Sequence, residues 1–180
     1  AGMGPRGEGG AALGAITRIA HPLGATLALG FRREDVEHPL DGFGVLMPAV
    51  ERRVVLGALF SSSIFAGRAP EGHVLITGFL GGMRSPGDGT ADTAAVLPRA
   101  LDDLRPLLGL RAAPVFMHHQ RWPRAIPQYE LGHGGVVAAA ANIEAALPGL
   151  YFCGQWRHGV SLGDCIAQGQ QAAARIAADR

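Results

Sequence analysis

The sequence predicts an α+β or mixed α/β fold: an antiparallel or mixed sheet, then a strand-loop-helix finish. Three observations carry this. Short apolar runs separated by turn residues recur through the first 120 positions. A single long stretch, Asp92 to Leu108, has helical spacing at Ala95, Leu97, Leu101, Leu104 and Leu107. The last thirty residues join an apolar run, a Gly-punctuated loop and a small-residue helix.

Taken in order, residues 1–10 (AGMGPRGEGG) are Gly-rich and poor in apolar side chains, so they read as a flexible end. Their formal G-x-G-x-x-G at Gly2, Gly4 and Gly7 contains Pro5 and follows no strand, so it is not a dinucleotide fingerprint. Ala25 to Phe31, Gly44 to Met47, Val54 to Ser61 and Val74 to Gly81 are expected strands. The helix at Asp92 to Leu108 carries Pro98 as an expected kink and ends at Gly109. Pro114 to His119 is a further strand, and Trp122 to Tyr129 a loop stiffened by Pro123 and Pro127. Gly134 to Leu147 is an Ala-rich helix, Leu150 to Cys153 the final strand, and Asp164 to about Ala178 the final helix.

The 180 residues, 48% of them hydrophobic, are enough for a real core. Sixteen basic residues, all Arg, against fifteen acidic ones leave a net charge of +1, with no basic cluster of the kind that binds nucleic acid. Cys153 and Cys165 fit no zinc spacing and no disulfide framework. No apolar run reaches membrane-spanning length, and the opening residues lack the order of a signal peptide. The chain therefore reads as soluble and cytoplasmic, with peripheral contact on the cytoplasmic membrane face left open.

His118 and His119 are adjacent and on a strand face opposite sides, so they do not share a metal. No metal site and no catalytic acid-base pair is expected, and Ser61-Ser62-Ser63 lacks a nucleophile elbow. The Gly154–Asp164 loop is different. A strand, Gly loop and helix N-terminus in succession present backbone N–H groups where the helix dipole favours negative charge, as a phosphate or an electron-rich cofactor edge would supply. Asp164, at the start of the helix, reads equally as an N-cap and as a ligand contact. Cys165 reads as an inert thiol within the helix.

Several stretches in unbroken order carry a resemblance: Phe31 to Asp35 (FRRED), His38 to Pro48 (HPLDGFGVLMP), Leu56 to Ser62, and Phe65 to Gly72 (FAGRAPEG). They continue with Val74 to Gly82 (VLITGFLGG), Arg121 to Tyr129 (RWPRAIPQY) and Gly154 to Gly169. Together they resemble the C-terminal part of the protoporphyrinogen oxidase family, flavoenzymes of the flavin amine oxidase superfamily. The resemblance implies FAD as cofactor, protoporphyrinogen IX of haem biosynthesis as substrate and oxygen as electron acceptor. It divides the chain into the tail at 1–10, part of a substrate-binding domain at 11–130 and the C-terminal part of an FAD-binding domain at 131–180. The family's N-terminal fingerprint unit has no counterpart in the sequence, so an N-terminal FAD-binding half is an expected partner.

By the same resemblance, Trp122, Gly154, Gly159, Val160, Ser161 and Asp164 would contact the cofactor. Leu46, Leu59 and Phe79, whose default role is core packing, would wall a substrate cavity; a register error of one residue would turn them away. Two other readings stand beside this one. The chain is a non-catalytic half of a split or truncated flavoenzyme, or it belongs to an FAD-dependent amine oxidase or carotenoid desaturase. Apolar surface exposed on the final strand and helix is expected in either case.

Overall fold

The computed structural model describes residues 13–179, so the Gly-rich opening and its Gly2–Gly7 pattern lie outside the described residues. The chain divides into two compact units. One is Pro22–Ala125; the other combines the described residues before Pro22 with those from Ile126 onward.

The first unit is a five-stranded sheet. Its strands are β1 (Gly24–Arg32), β2 (Gly44–Leu46), β3 (Val55–Leu59), β4 (His73–Gly81) and β5 (Phe116–Trp122), in the order β2-β3-β4-β1-β5. Every neighbouring pair is antiparallel, which settles the open choice between antiparallel and mixed. Trp122 closes β5 rather than opening a loop, because Gly24 pairs with it across the ladder. Ser61, expected to end a strand, instead starts the short helix α2 (Ser61–Ile64).

Two-residue alternation in β1 decides the sheet's two faces. Ala25, Leu27, Leu29 and Phe31 are buried, and Leu29 stands opposite Ile76, Phe31 opposite Val74. The long helix α4 (Thr93–Leu108) covers this face with Val96, Ala100, Leu101, Leu104 and Leu108. Its buried stripe therefore differs from the expected one: Val96 and Leu108 point inward, whereas Leu107 is exposed. Asp92 caps the helix by accepting from Ala95 N–H at 2.8 Å, and Gly109 ends it with φ +59°. The helix runs through both Pro98 and Pro106.

The short helix α3 (Pro86–Thr90) crosses the end of the sheet where Gly81 and Gly89 meet. A Cβ on Gly81 would stand 2.7 Å from the Gly89 Cα, so this approach requires glycine. Asp103 ties α4 to the start of β3. Its Oδ2 accepts from Val54 N–H at 2.7 Å and Val55 N–H at 3.1 Å. Replacing Asp103 with Ala leaves the Val54 and Val55 amides without their acceptor and is expected to cost about 1–3 kcal/mol in urea unfolding. An Asp103→Asn variant, which retains one acceptor oxygen, should recover much of that loss.

The second unit contains the helical residues 13–17 (α1), α5 (His133–Ala146), α6 (Gln155–His158) and α7 (Leu162–Ala178). The expected strand at Leu150 to Cys153 does not form: Tyr151–Cys153 is irregular and runs to the Gly loop without a ladder partner among the described residues. The segment is held instead by side chains. Glu144 Oε1 accepts from Phe152 N–H at 2.6 Å, and Arg157 Nη1 donates to the Phe152 carbonyl at 2.5 Å. The final helix exposes Leu162, Ile166 and Ile176, and Leu150 is also exposed, as expected for apolar surface in this region.

Candidate flavin loop and open sheet face

The loop between Cys153 and Asp164 is built on two glycines in conformations that L side chains rarely adopt. Gly154 has φ +136° and Gly159 has φ +132°. Between them lies the single helical turn α6. Tyr129 spans that turn: its hydroxyl accepts from Gly159 N–H at 3.1 Å and donates to the Gln155 carbonyl. The Tyr129 ring stacks on His133 at 4.1 Å between centroids, and His133 Nε2 lies 2.6 Å from the Trp156 carbonyl.

Gln168 joins the two glycines from the far side. It is 6% exposed, its amide oxygen accepts from Gly154 N–H at 3.4 Å, and its amide nitrogen donates to the Gly159 carbonyl at 3.3 Å. Sequence reasoning passed over Gln168; the signal was its place one helical turn after Asp164, which brings it to the same side of α7.

The start of α7 corrects the reading of Asp164. Ser161 is the N-cap, and its hydroxyl accepts from Asp164 N–H at 3.0 Å. Asp164 is the third helical residue, reaching back to accept from Ser161 N–H at 3.1 Å and Ser161 Oγ at 2.7 Å. This reciprocal capping box fixes Asp164 as a carboxylate. The Ser161 hydroxyl, and then the Ser161 amide, hold its pKa below the ordinary value. Ser161 and Asp164 thereby satisfy two of the orphan amides of a 17-residue helix, and those of Leu162 and Gly163, at the positive end of the dipole, have no acceptor among the described residues. Gly159 N–H is already taken by Tyr129. Val160, half-buried, links the two groups.

Beneath the loop lies an ion pair that the sequence did not announce. Arg157 donates to Glu144 through Nη1 at 2.7 Å and Nη2 at 2.8 Å, with side chains 8% and 6% exposed. Arg175 adds a longer contact at 3.3 Å. The Arg157 hydrogen bond, opposed by burial and reinforced by the Phe152 amide and Arg175, lowers the Glu144 pKa to about 2. Its one signal was that Glu144 is the lone acid in an Ala-rich helix.

On the sheet unit, the face opposite α4 gathers the residues expected to wall a cavity. Leu46 stands opposite Gly57, Gly57 opposite Phe79, Phe79 opposite Thr26, and Thr26 opposite Gln120, forming one row across all five strands. Leu59 stands one row along, opposite Thr77. Leu46 is 89% exposed and Phe79 38%, with Leu59 half-buried. Their core-packing default is thus displaced. Trp122 occupies the same face and donates from Nε1 to Thr26 Oγ1 at 3.4 Å. The irregularity between Val55 and Gly57 produces this arrangement: Val55 faces the core opposite Leu80, whereas Gly57 falls opposite Phe79. Gly57 lets the Leu46 side chain and the Val45 carbonyl close over it; a Cβ there would come 2.8 Å from the Val45 carbonyl and 3.0 Å from Leu46 Cδ2.

His118 is exposed on this face, while His119 turns to the α4 side, its Nδ1 2.9 Å from Thr93 Oγ1. Burial, then the positive charge of Arg121, lowers the His119 pKa. Cys153 and Cys165 are free thiols. Among the described residues no His, Cys, Asp and Glu group is arranged to hold a metal ion, and no helix is long and apolar enough to cross a membrane.

The family described as flavin containing amine oxidoreductase matches residues 5–177, and the chain belongs to that family. Within it, the chain is 38% identical over 146 residues to the mitochondrial protoporphyrinogen oxidase of Nicotiana tabacum, covering 79% of this chain and 29% of the relative. It is 30% identical to the coproporphyrinogen III oxidase of Staphylococcus aureus, covering 86% and 34% respectively. The fold is shared with a crystal structure from Exiguobacterium sp. 255-15, provisionally assigned as a protoporphyrinogen oxidase. There the TM-score is 0.75 at 21% identity, over 93% of this chain and 37% of that one. Reduced UDP-galactopyranose mutase gives 0.66 at 14% identity, over 92% and 36%. The chain thus spans about a third of the length of the relatives it matches.

Proposed function

We propose that this chain forms part of an FAD-dependent oxidase that converts protoporphyrinogen IX to protoporphyrin IX, with oxygen as electron acceptor. The observation that supports it best is the 38% identity to a protoporphyrinogen oxidase over 79% of this chain; the glycine loop of one unit and the partly apolar sheet face of the other each suit that chemistry. When bound, FAD would supply the six-electron oxidation as three successive two-electron steps, each followed by reoxidation with oxygen; the protein's task is to hold both molecules and exclude water. Gly154 and Gly159 bring no side chains, the Leu162 and Gly163 amides offer donors, and the α7 N-terminus favours an anionic edge. These residues fit the electron-rich side of a reduced isoalloxazine. Val160, Ser161 and Asp164 hold the loop against it, and Trp122 is assigned to ring contact. Leu46, Leu59 and Phe79 present the apolar wall that a tetrapyrrole centre requires.

Residues 11–130 serve the substrate and 131–180 the cofactor in this reading, and an FAD-binding region in the remaining length of such relatives completes the site. The chain operates in the cytoplasm, resting peripherally on the membrane face. The 30% identity to a coproporphyrinogen III oxidase supports a second substrate, which carries four carboxylates where protoporphyrinogen carries two.

The test is a two-step assay on the flavin-loaded protein. FAD binding is followed by fluorescence quenching; the appearance of porphyrin fluorescence is then followed with each porphyrinogen under air. Porphyrin formation that is lost in Phe79→Asp, with FAD binding retained, is the expected result. Turnover of amines and neither porphyrinogen would sink the proposal.

A further inference from the structure

Four of the sixteen arginines line a single cleft on the α4 side of the sheet, away from the open face. Arg52 and Arg53 come from the β2–β3 connection, Arg84 from the segment after β4 and Arg99 from α4, with Ser85 and Asp88 completing the wall. Its volume is about 290 Å³. Asp88 is the one carboxylate among the lining residues.

Like charges so close together would disperse unless held. Three of them are. Arg53 is anchored to Glu51 at 3.1 Å and to Asp103 at 3.5 Å, Arg84 donates Nη1 to the Met47 carbonyl at 3.0 Å, and Arg99 pairs with Asp88 at 2.6 Å. Each anchor engages part of a guanidinium with five N–H donors, so donors remain for a further acceptor. The Arg52 guanidinium has no acceptor among the described residues, and the residue sits at φ +52°, a left-handed conformation unusual for a residue other than glycine. Arg53 and Arg84 also brace the α4–β3 tie and the Met47 backbone, whereas the Arg52 and Arg99 side chains bond to no core residue among the described residues.

We propose that this cleft is an anion site for a ligand bearing two adjacent phosphoryl groups. Guanidinium forks fixed in position match phosphate oxygens bidentately, and a volume well above that of one phosphate suits a pair. The ligand is a soluble diphosphate or the multiply phosphorylated headgroup of a lipid; both present the same oxygens.

Pyrophosphate is the probe. Calorimetric titration of the full 180-residue chain at about 0.15 M salt is expected to give saturable binding with Kd below about 1 mM. Arg52→Ala and Arg99→Ala should each weaken it about tenfold or more. Arg68→Ala, which removes a guanidinium resting on Phe65 outside the cleft, should leave it unchanged. Matching circular dichroism melts of the variants separate lost binding from lost folding. Failure to saturate, or affinity held within about twofold in the Arg52→Ala, Arg99→Ala double variant, overturns the proposal. The second outcome would place the anion elsewhere, including the α7 N-terminus.

Sedimentation with vesicles containing a bisphosphorylated phosphoinositide distinguishes the sources. Pelleting that pyrophosphate competes away and that Arg52→Ala abolishes identifies the lipid. Pyrophosphate binding without pelleting identifies a soluble ligand. Pelleting insensitive to both counts against the site.

Discussion

Glu144→Ala should cost about 3–5 kcal/mol, the penalty for stranding a buried guanidinium. Arg157 keeps only the Phe152 carbonyl in that variant, and its Nε already has no partner. The loss is therefore expected to be local to the second unit. Urea unfolding followed by Trp156, with Trp122 replaced by Phe, should show an early transition, while the transition followed by Trp122, with Trp156 replaced by Phe, should stay in place. Glu144→Gln, which retains shape and one acceptor, should fall between Ala and the parent. An Ala variant within about 1 kcal/mol of the parent would show that the pair contributes little.

The same carboxylate sets an acid limit. Its folded pKa, about 2, lies below the unfolded value near 4.3. Stabilisation from it is complete above the unfolded value and disappears as pH falls from about 4.5 toward 2. Acid titration of the Trp156 signal should show this slope, and Glu144→Gln should flatten it.

Gly159→Ala is the second large effect. The position combines φ +132° with a site where a Cβ would stand 2.4 Å from Asp164 Oδ2. Alanine must strain the backbone or push Asp164 out of its capping box, for a combined cost of about 2–4 kcal/mol. Gly163→Ala is the informative contrast. Gly163 is helical with Ser161 Oγ at 3.7 Å, so alanine fits and should stabilise the fold by about 0.4–1 kcal/mol. Its methyl group, however, crowds an open amide that the proposed flavin edge needs. A Gly163→Ala protein that is more stable yet binds FAD more weakly would separate the site from the scaffold. Unchanged FAD affinity would remove the α7 N-terminus from the site.

The strands and the long helix were legible because alternation in β1 and the Asp92–Gly109 cap signals are local. What failed depends on distant partners. Leu150 to Cys153 looks like a strand by composition, but it has no ladder partner among the described residues and Glu144 and Arg157 take its backbone groups. The inward stripe of α4 shifted to Val96 and Leu108 because the sheet, not the helix, selects which side is buried. Leu46 and Phe79 shared a face only through the irregularity between Val55 and Gly57, which no periodicity announces. In the loop, the glycines were visible while Gln168 and Tyr129, which lock them, were not distinguished from ordinary helix and loop residues.

The order of the strands has a consequence for biosynthesis. Both neighbours of β1 lie far downstream: β4 follows it by about fifty residues, and Leu27 pairs with His119 about ninety residues later. During vectorial translation at the usual elongation rates, β1 would wait on the order of ten seconds for its second partner. For most of that interval Leu27, Leu29 and Phe31, fully buried in the finished protein, also lack the α4 side chains that cover their face. This interior strand of the finished sheet thus presents three large apolar side chains to chaperones until its downstream partners emerge.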